Sequence, residues 1–399
     1  MASQSGTWID ASAEKLLKNK NVFLAIAMLS SQQKKIVDPL TGICYYGVKG
    51  VRRVWGQRPD KRDTYVWGEL IRDSAPDCIM VWGSEFANGL SVLAAAGNIP
   101  VLFYIQGVLG RIINYPMGLL SRKELFKQAG LLPWMKSFYF ERNRKAQKKQ
   151  CFLEAEMIRL SQGIISDNEW ANSYYRLNTP DVTIYHSPLA VNEVFLDKAY
   201  IPRKRMPHTL FTVDGRNPAK GIFHLLKALV VVKQKYPDVK LYIPGSFACK
   251  KPAVLFESPY CTYLRKFIKK FDLDANVEFC GRLTSEEMKE KIDTCSVFVM
   301  PSAVENHSAS LREAMYAGAP CISALVGSVD EYAQYEKNVL TYRYEESDVL
   351  AVHIMRLFAD PDFAENIGRE AWQSIRLKYP LTVEDNTLYE IYSEILGLE

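Results

Sequence analysis

The sequence predicts an α/β protein of two doubly wound domains, each built on a parallel sheet. Three observations predict it. Short apolar runs such as Pro100 to Ile105 and Val297 to Met300 alternate with longer stretches of helical period, the pattern of repeated βαβ units. Many of these runs end at glycine or a small polar residue, as in Trp82-Gly83-Ser84-Glu85 and Ile105-Gln106-Gly107. The chain has 399 residues, enough for two cores, and the Pro-containing segment His186 to Pro207 reads as a linker between them.

Composition narrows the class. Hydrophobic residues make up 48% and charged residues 24%, both globular values. No apolar run approaches the ~20 residues that span a bilayer, and the opening MASQSGTW is polar, without a secretory pattern. The 8 cysteines are scattered with no C-x-x-C pair, which favours reduced thiols and a cytoplasmic setting. The 5 histidines show no zinc spacing, so neither a metal site nor a cofactor is expected. A net charge of +5 is too modest to point to nucleic acid, and no nucleic-acid motif accompanies it.

Taken in order, residues 8–19 read as a helix and Asn21 to Met28 as a strand, with a weaker strand at Cys44 to Val48. A helix over Tyr65 to Arg72 feeds the strand Cys78 to Trp82. Another, through Leu90 to Ala95, feeds Pro100 to Ile105. Residues 108–150 break the alternation. An apolar and aromatic stretch, Ile112 to Phe140, is followed by the basic cluster Arg142, Arg144, Lys145, Lys148 and Lys149. Apolar bulk beside positive charge suits an anionic membrane surface, here the inner face of the cell membrane; the alternative is an internal helical excursion with a solvated basic face. Phe152 to Leu160 is a helix, and Gly163 to Ser166 and Val182 to Tyr185 are strands.

The second half opens with the strand Thr209 to Val213, the loop Asp214-Gly215-Arg216-Asn217-Pro218-Ala219-Lys220-Gly221 and a helix from Ile222 to Tyr236. Strands at Val239 to Pro244 and Val277 to Phe279 and helices at Tyr263 to Phe271 and Ser285 to Cys295 follow. The central unit is Val297 to Glu331. Pro301 ends its first strand because it cannot donate to a ladder. A polar loop, Ser302 to Ser308, leads into a helix, and Gly318 stands where a helix C-terminus takes positive φ. Cys321 to Leu325 is the next strand. Helices over Asp348 to Phe358, Phe363 to Leu377 and Val383 to Leu396 complete the chain. On spacing alone, Glu305 and Glu313 serve equally well as a cap and a solvated helix residue.

Glu305 and Glu313, with seven residues between them inside Pro301-Ser302…Glu313-Ala314-Met315…Gly318-x-Pro320…Gly327…Glu331, resemble the E-x7-E signature of family 4 retaining glycosyltransferases. Ser308 stands where many members have Gly. The resemblance implies a GT-B fold, with two Rossmann-like domains whose parallel sheets face a central cleft: residues 1–190 binding the acceptor, 205–380 binding the donor, and 381–399 a helix crossing back to the first domain. It implies Glu305 beside the donor sugar as the catalytic group and Glu313 on the nucleotide ribose. Ser308, Ala309, Ser310 and Leu311 would hold the diphosphate by their backbone. The Gly215-Arg216…Lys220-Gly221 loop resembles the family's phosphate loop, assigning Arg216 and Lys220 to the leaving group, and Arg282 and Leu283 fall near the base. On the acceptor side the resemblance points to Gly83, Glu85, Gln106 and Gly107. Met80 and Gln106 lie where many relatives carry His.

The implied function is transfer of a sugar, with retained configuration, from a nucleotide-sugar donor to a saccharide or lipid-linked acceptor in surface polysaccharide or glycoconjugate synthesis. Two alternatives stand beside it, a nucleotide-sugar epimerase on the same fold and a non-catalytic nucleotide-sugar-binding protein. The family's first domain opens with a strand and a Gly-rich loop. Here Ser5-Gly6-Thr7-Trp8 resembles the end of that loop, so the first strand is expected to be absent.

Overall fold

The computed structural model describes residues 7–51, 54–213, 215–245, 258–380 and 387–398; the side chains of residues 7 and 139–143 are outside this description. The chain forms two compact units. One comprises Trp8–Ile113, Asn143–Ala190 and Thr382–Glu399, the other Met1–Thr7, Asn114–Arg142 and Val191–Leu381.

The first unit holds two sheets. Strands β1 (Ala25–Leu29) and β3 (Cys44–Val48) are parallel, and β2 (Lys34–Val37) joins β3 as an antiparallel hairpin. The second sheet runs β4 (Ile79–Trp82), β5 (Val101–Tyr104), β6 (Gly163–Ser166) and β7 (Ile184–His186), all parallel. Both β1 and β4 stand at sheet edges. Their burial reflects this: every residue of β4 is half-buried, whereas β5 and β6 are buried throughout. The expected absence of a first strand concerns mainly residues 1–6, which lie outside the described residues. The core forms where Val101, Phe103 and Ile164 meet Leu90, Met157, Ile158 and Tyr175. Ser187 Oγ lies 2.8 Å from Thr387 Oγ1, so the last helix, Thr387–Leu396, belongs to this unit. Residues 383–386 of the expected helix are outside the described ones.

The second unit has one six-stranded sheet, ordered β10-β9-β8-β11-β12-β13, every pair parallel. The strands are β8 (Met206–Thr212), β9 (Lys240–Ile243), β10 (Val277–Phe279), β11 (Cys295–Met300), β12 (Cys321–Ala324) and β13 (Leu340–Tyr342). Alternate residues feed opposite faces, as the two-residue period of a strand requires. Leu210, Val297, Val299 and Ile322 enter one core with the helices Ile222–Lys235 and Ser347–Ala359. Phe211, Phe298, Met300 and Cys321 enter the other with Ala309–Tyr316 and Pro361–Lys378. A sheet buried on both faces explains the unbroken apolar runs read from the sequence. Sequential order reverses between β8 and β11, the switch point where ligands bind outside the strand ends.

Two segments differ from the sequence reading. The stretch 114–142 groups with the second unit, where Leu120, Leu125 and Ala129 are buried in the core. There the helix Arg122–Ala129 docks on Pro259–Lys270, with Tyr263 Oη donating to Glu124 at 2.8 Å and Lys266 Nζ to the Ala129 carbonyl at 2.6 Å. One helix, Leu131–Leu160, replaces the expected short one. The presumed linker is structured as well. Arg205 donates to the carbonyls of Ile292, Asp293, Cys295 and Gly318 at 2.8–3.3 Å, and Arg203 pairs with Asp197 at 2.7 Å.

Candidate active site

The loops after β8 and β11 converge at the switch point. After β8 the chain makes a short turn, Pro218–Lys220, capped by the Asn217 side chain accepting from Ala219 N–H at 3.0 Å. Gly221, at φ +70°, then opens the next helix. A Cβ there would lie 1.8 Å from the Pro301 carbonyl oxygen, so only glycine lets the two loops touch. Ala303 N–H completes the junction by donating to the Ala219 carbonyl at 2.7 Å.

This contact places Lys220 Nζ 2.6 Å from Glu305 Oε1, across 85 positions of sequence. The Glu305 side chain is 12% exposed and Lys220 33%, an ion pair partly withdrawn from water yet open to a ligand. Behind Glu305 the loop 302–308 is buried, with Ser302, Asn306, His307 and Ser308 all under 9% exposed. Ser328 Oγ donates to the Asn306 carbonyl, tying this loop to the one after β12.

Ser308 takes the left-handed conformation, φ +47°, at the start of the helix Ala309–Tyr316. That geometry is the physical reason a glycine suits the position. Its side chain makes no cap, while its carbonyl accepts from Leu311 N–H and Arg312 N–H at 3.0 and 3.1 Å. The first N–H groups of the helix thus carry a partial positive charge toward the loop. Glu313, on the same helix, is buried. Arg312 is a fully buried side chain, its guanidinium 3.8 Å over the Tyr379 ring. His224, on the helix that follows Gly221, is lowered to about 4 by burial and next by Lys227, so it is neutral at pH 7.

The remaining sequence candidates occupy three places. Arg216 is exposed in the loop after β8, beside Asp214, which lies outside the described residues. Arg282, exposed, and Leu283, half-buried, follow β10, where Gly245 N–H donates to the Gly281 carbonyl at 2.6 Å. These two stand three strands from β11, about 14 Å along the sheet at ~4.8 Å per strand. Gly83, Glu85, Gln106 and Gly107 meet in the first unit at the carboxyl ends of β4 and β5. A Cβ on Gly83 would lie 2.4 Å from Glu85 Oε2 and 3.3 Å from Gln106 Oε1, and one on Gly107 3.0 Å from Glu85 Oε1. The Glu85 carboxylate is therefore wedged between the two glycines. Sequence reasoning did not find the contact of residues 115–120 with the turn after β8: Tyr344 Oη donates to the Gly118 carbonyl at 2.6 Å, and Gly118 abuts Pro218. No local signal marks so distant a pairing.

Residues 197–374 match the family model described as glycosyl transferases group 1. The chain is 24% identical over 217 residues to YqgM of Bacillus subtilis, described as an uncharacterized glycosyltransferase, covering 54% of this chain and 56% of that protein. It is 23% identical over 175 residues to the putative colanic acid biosynthesis glycosyltransferase WcaL of Escherichia coli, covering 42% and 40%. The chain spans about half the length of the curated relatives it matches. Among solved structures, sucrose-phosphate synthase of Thermosynechococcus elongatus superposes with a TM-score of 0.71 at 15% identity, over 98% of this chain and 93% of that one. Anabaena Alr3699/HepE, solved in complex with UDP and glucose, gives 0.67 at 12% identity, over 100% and 97%. Residues 197–374 are thus similar to the group 1 glycosyl transferases, on a chain with the GT-B fold.

Proposed function

We propose that the protein is a retaining glycosyltransferase that moves a sugar from a nucleotide-sugar donor to a saccharide or lipid-linked acceptor in surface polysaccharide or glycoconjugate synthesis. The observation that carries this reading is the meeting of Lys220 and Glu305 at the switch point, 2.6 Å apart. Transfer from a nucleotide sugar needs charge stabilisation at two centres, the diphosphate that leaves and the sugar carbon that becomes positive. Lys220 and the N–H groups at Ser308 to Leu311 serve the first, with Arg216 beside them. Glu305 serves the second or holds the sugar hydroxyls. Glu313 fits the ribose, and Arg282 and Leu283, three strands away, fit an extended ligand's base.

The test is a thermal-shift series against UDP, GDP and ADP sugars. UDP sugars come first, because a neighbour of the same fold is solved with UDP-glucose. A true donor at 100 times its Kd adds ~2.7 kcal/mol to stability. Glu313→Ala should weaken nucleotide binding by about 1–3 kcal/mol, the cost of losing hydrogen bonds to the ribose. Stabilisation by none of the nucleotides, or an unchanged Kd in Glu313→Ala, would overturn the assignment.

A second observation supports work at an anionic membrane, at the cytoplasmic face. Phe126, Leu131, Leu132, Met135 and Phe138 are each more than 40% exposed on neighbouring helical turns. Arg122 lies 4.0 Å over the Phe138 ring, and Lys145, Lys148 and Lys149 are exposed farther along the same helix. No helix among the described residues is long and apolar enough to cross a membrane. Sedimentation with anionic vesicles should fall at high salt, where surface charge is screened. It should fall again when Arg142, Arg144, Lys145, Lys148 and Lys149 become Gln, or when Leu131 and Met135 become Ser. Equal recovery on neutral and anionic vesicles would remove the electrostatic part.

A further inference from the structure

The carboxyl ends of β4 and β5 hold a buried polar cluster that donor chemistry does not use. Glu154, on the helix Leu131–Leu160, is 1% exposed. Its Oε1 accepts from Ser84 Oγ at 2.5 Å and from Tyr175 Oη at 3.2 Å, both donors themselves buried. The Leu109 N–H also donates to this carboxyl. One side chain therefore joins the turn after β4, the loop after β5 and the helix Glu169–Asn178. Ser84 immediately precedes Glu85, so the same turn that Glu154 grips carries the carboxylate wedged between Gly83 and Gly107.

We propose that Glu154 is a positioning residue of the acceptor side: it ties the turn after β4 to the loop after β5 and thereby holds Glu85 for an acceptor hydroxyl. The role given to Glu85 rests on the glycosyl-transfer reading; the tie itself does not. The tie is made by the neutral acid. Removing a carboxylate from water disfavours its charged form, and the like charge of Glu85 adds to this, so Glu154 is pushed up to about 8. Oε1 takes both hydroxyl bonds. The titratable groups around it are Glu85 on the turn after β4, Tyr174 and Tyr175 on the helix Glu169–Asn178, and Cys151 on its own helix. Arg111 lies over the Tyr174 ring at 6.0 Å.

The folded state keeps a proton that the unfolded chain releases near 4.5. Wild-type stability should therefore fall as pH rises from there to about 8 and then level off, because the folded form binds more protons across that window. Glu154→Gln carries no such proton and should lack that fall.

The experiment compares the full-length wild type, Glu154→Gln and Glu154→Ala by thermal midpoint from pH 5 to 9.5 and by amide hydrogen exchange at pH 7. Expected are a flatter pH slope in Glu154→Gln than in wild type, and exchange at least tenfold faster in residues 83–87 and 106–109 of Glu154→Ala, with Glu154→Gln like wild type. If Glu154→Ala does not fold, Ser84→Ala, which removes one hydroxyl bond, takes its place in the exchange arm. Identical pH slopes for wild type and Glu154→Gln, or unchanged exchange in those loops, would overturn the proposal. With a donor in hand, Glu154→Ala should raise the acceptor KM at least tenfold with the donor KM unchanged, and Glu154→Gln should restore it. An acceptor KM that does not move overturns the positioning role. Absence of turnover on every nucleotide sugar would instead fail the glycosyl-transfer reading, with slope and exchange still deciding the tie.

Discussion

Lys220→Ala is expected to lower kcat/KM for the donor sugar by about 100- to 1,000-fold, the effect of removing one preorganised donor from developing charge, roughly 2.7–4 kcal/mol. Lys220 is the cation that the structure brings to Glu305, at 2.6 Å, and the turn that carries it is bonded through Ala303 N–H and the Ala219 carbonyl. A bland account gives the pair only a structural role, with Lys220 neutralising Glu305. Two measurements separate the accounts. A partly exposed ion pair contributes about 0–1 kcal/mol, so the thermal midpoint of Lys220→Ala should barely move while turnover collapses. The double variant Lys220→Ala/Glu305→Gln removes the uncompensated carboxylate. It should be no more active than Lys220→Ala if the lysine serves the diphosphate, and should regain most of the loss if it serves only Glu305. Turnover of Lys220→Ala within threefold of wild type would remove Lys220 from the leaving-group site.

Legibility in the sequence followed the range of the forces involved. The unit Val297 to Glu331 was readable because its signals are local: an apolar run stopped by Pro301, a polar loop, and Gly318, which takes φ +68° as its position predicts. Glu305 and Lys220 were found separately, each on its own loop, and their pairing follows from sheet order, which places β8 beside β11. Strand β2 escaped notice because three of its four residues are exposed and it has one hydrophobic partner face, so no alternation stands out. Strand β13 has three residues, too few to show a period. The larger difference is the segment 114–142. Its apolar residues read as one exposed face, yet Leu120, Leu125 and Ala129 enter a core made by residues some hundred positions later, leaving Phe126, Leu131 and Met135 outside. The basic residues before β8 mislead in the same way. Arg205 lies in the segment read as a linker, and its partners are four carbonyls between Ile292 and Gly318.

Gly327→Ala should lower turnover about 100-fold or more while leaving the protein folded. Gly327 sits at φ +61° in the loop after β12, where an added Cβ would lie 1.6 Å from the Glu305 carbonyl oxygen and 2.7 Å from its carbonyl carbon. Both obstacles are backbone, so no side chain can swing away, and the loop that carries Glu305 must itself shift by more than 1 Å. A displacement of ~1 Å at a reacting group costs about 100-fold in rate. Ser328 amplifies the shift, since its hydroxyl bond to the Asn306 carbonyl couples the two loops. The strain of a left-handed alanine alone costs about 1–2 kcal/mol. Gly97 supplies the control: it has the same φ of +61° with nothing within 4 Å of its would-be Cβ, and it lies outside both candidate sites. Gly97→Ala should lower the thermal midpoint by a few degrees and leave turnover intact. Both variants place alanine at positive φ and differ in whether Glu305 is displaced. If Gly327→Ala loses no more activity than Gly97→Ala, the loop after β12 does not position Glu305, and the catalytic place of that carboxylate loses its main structural support.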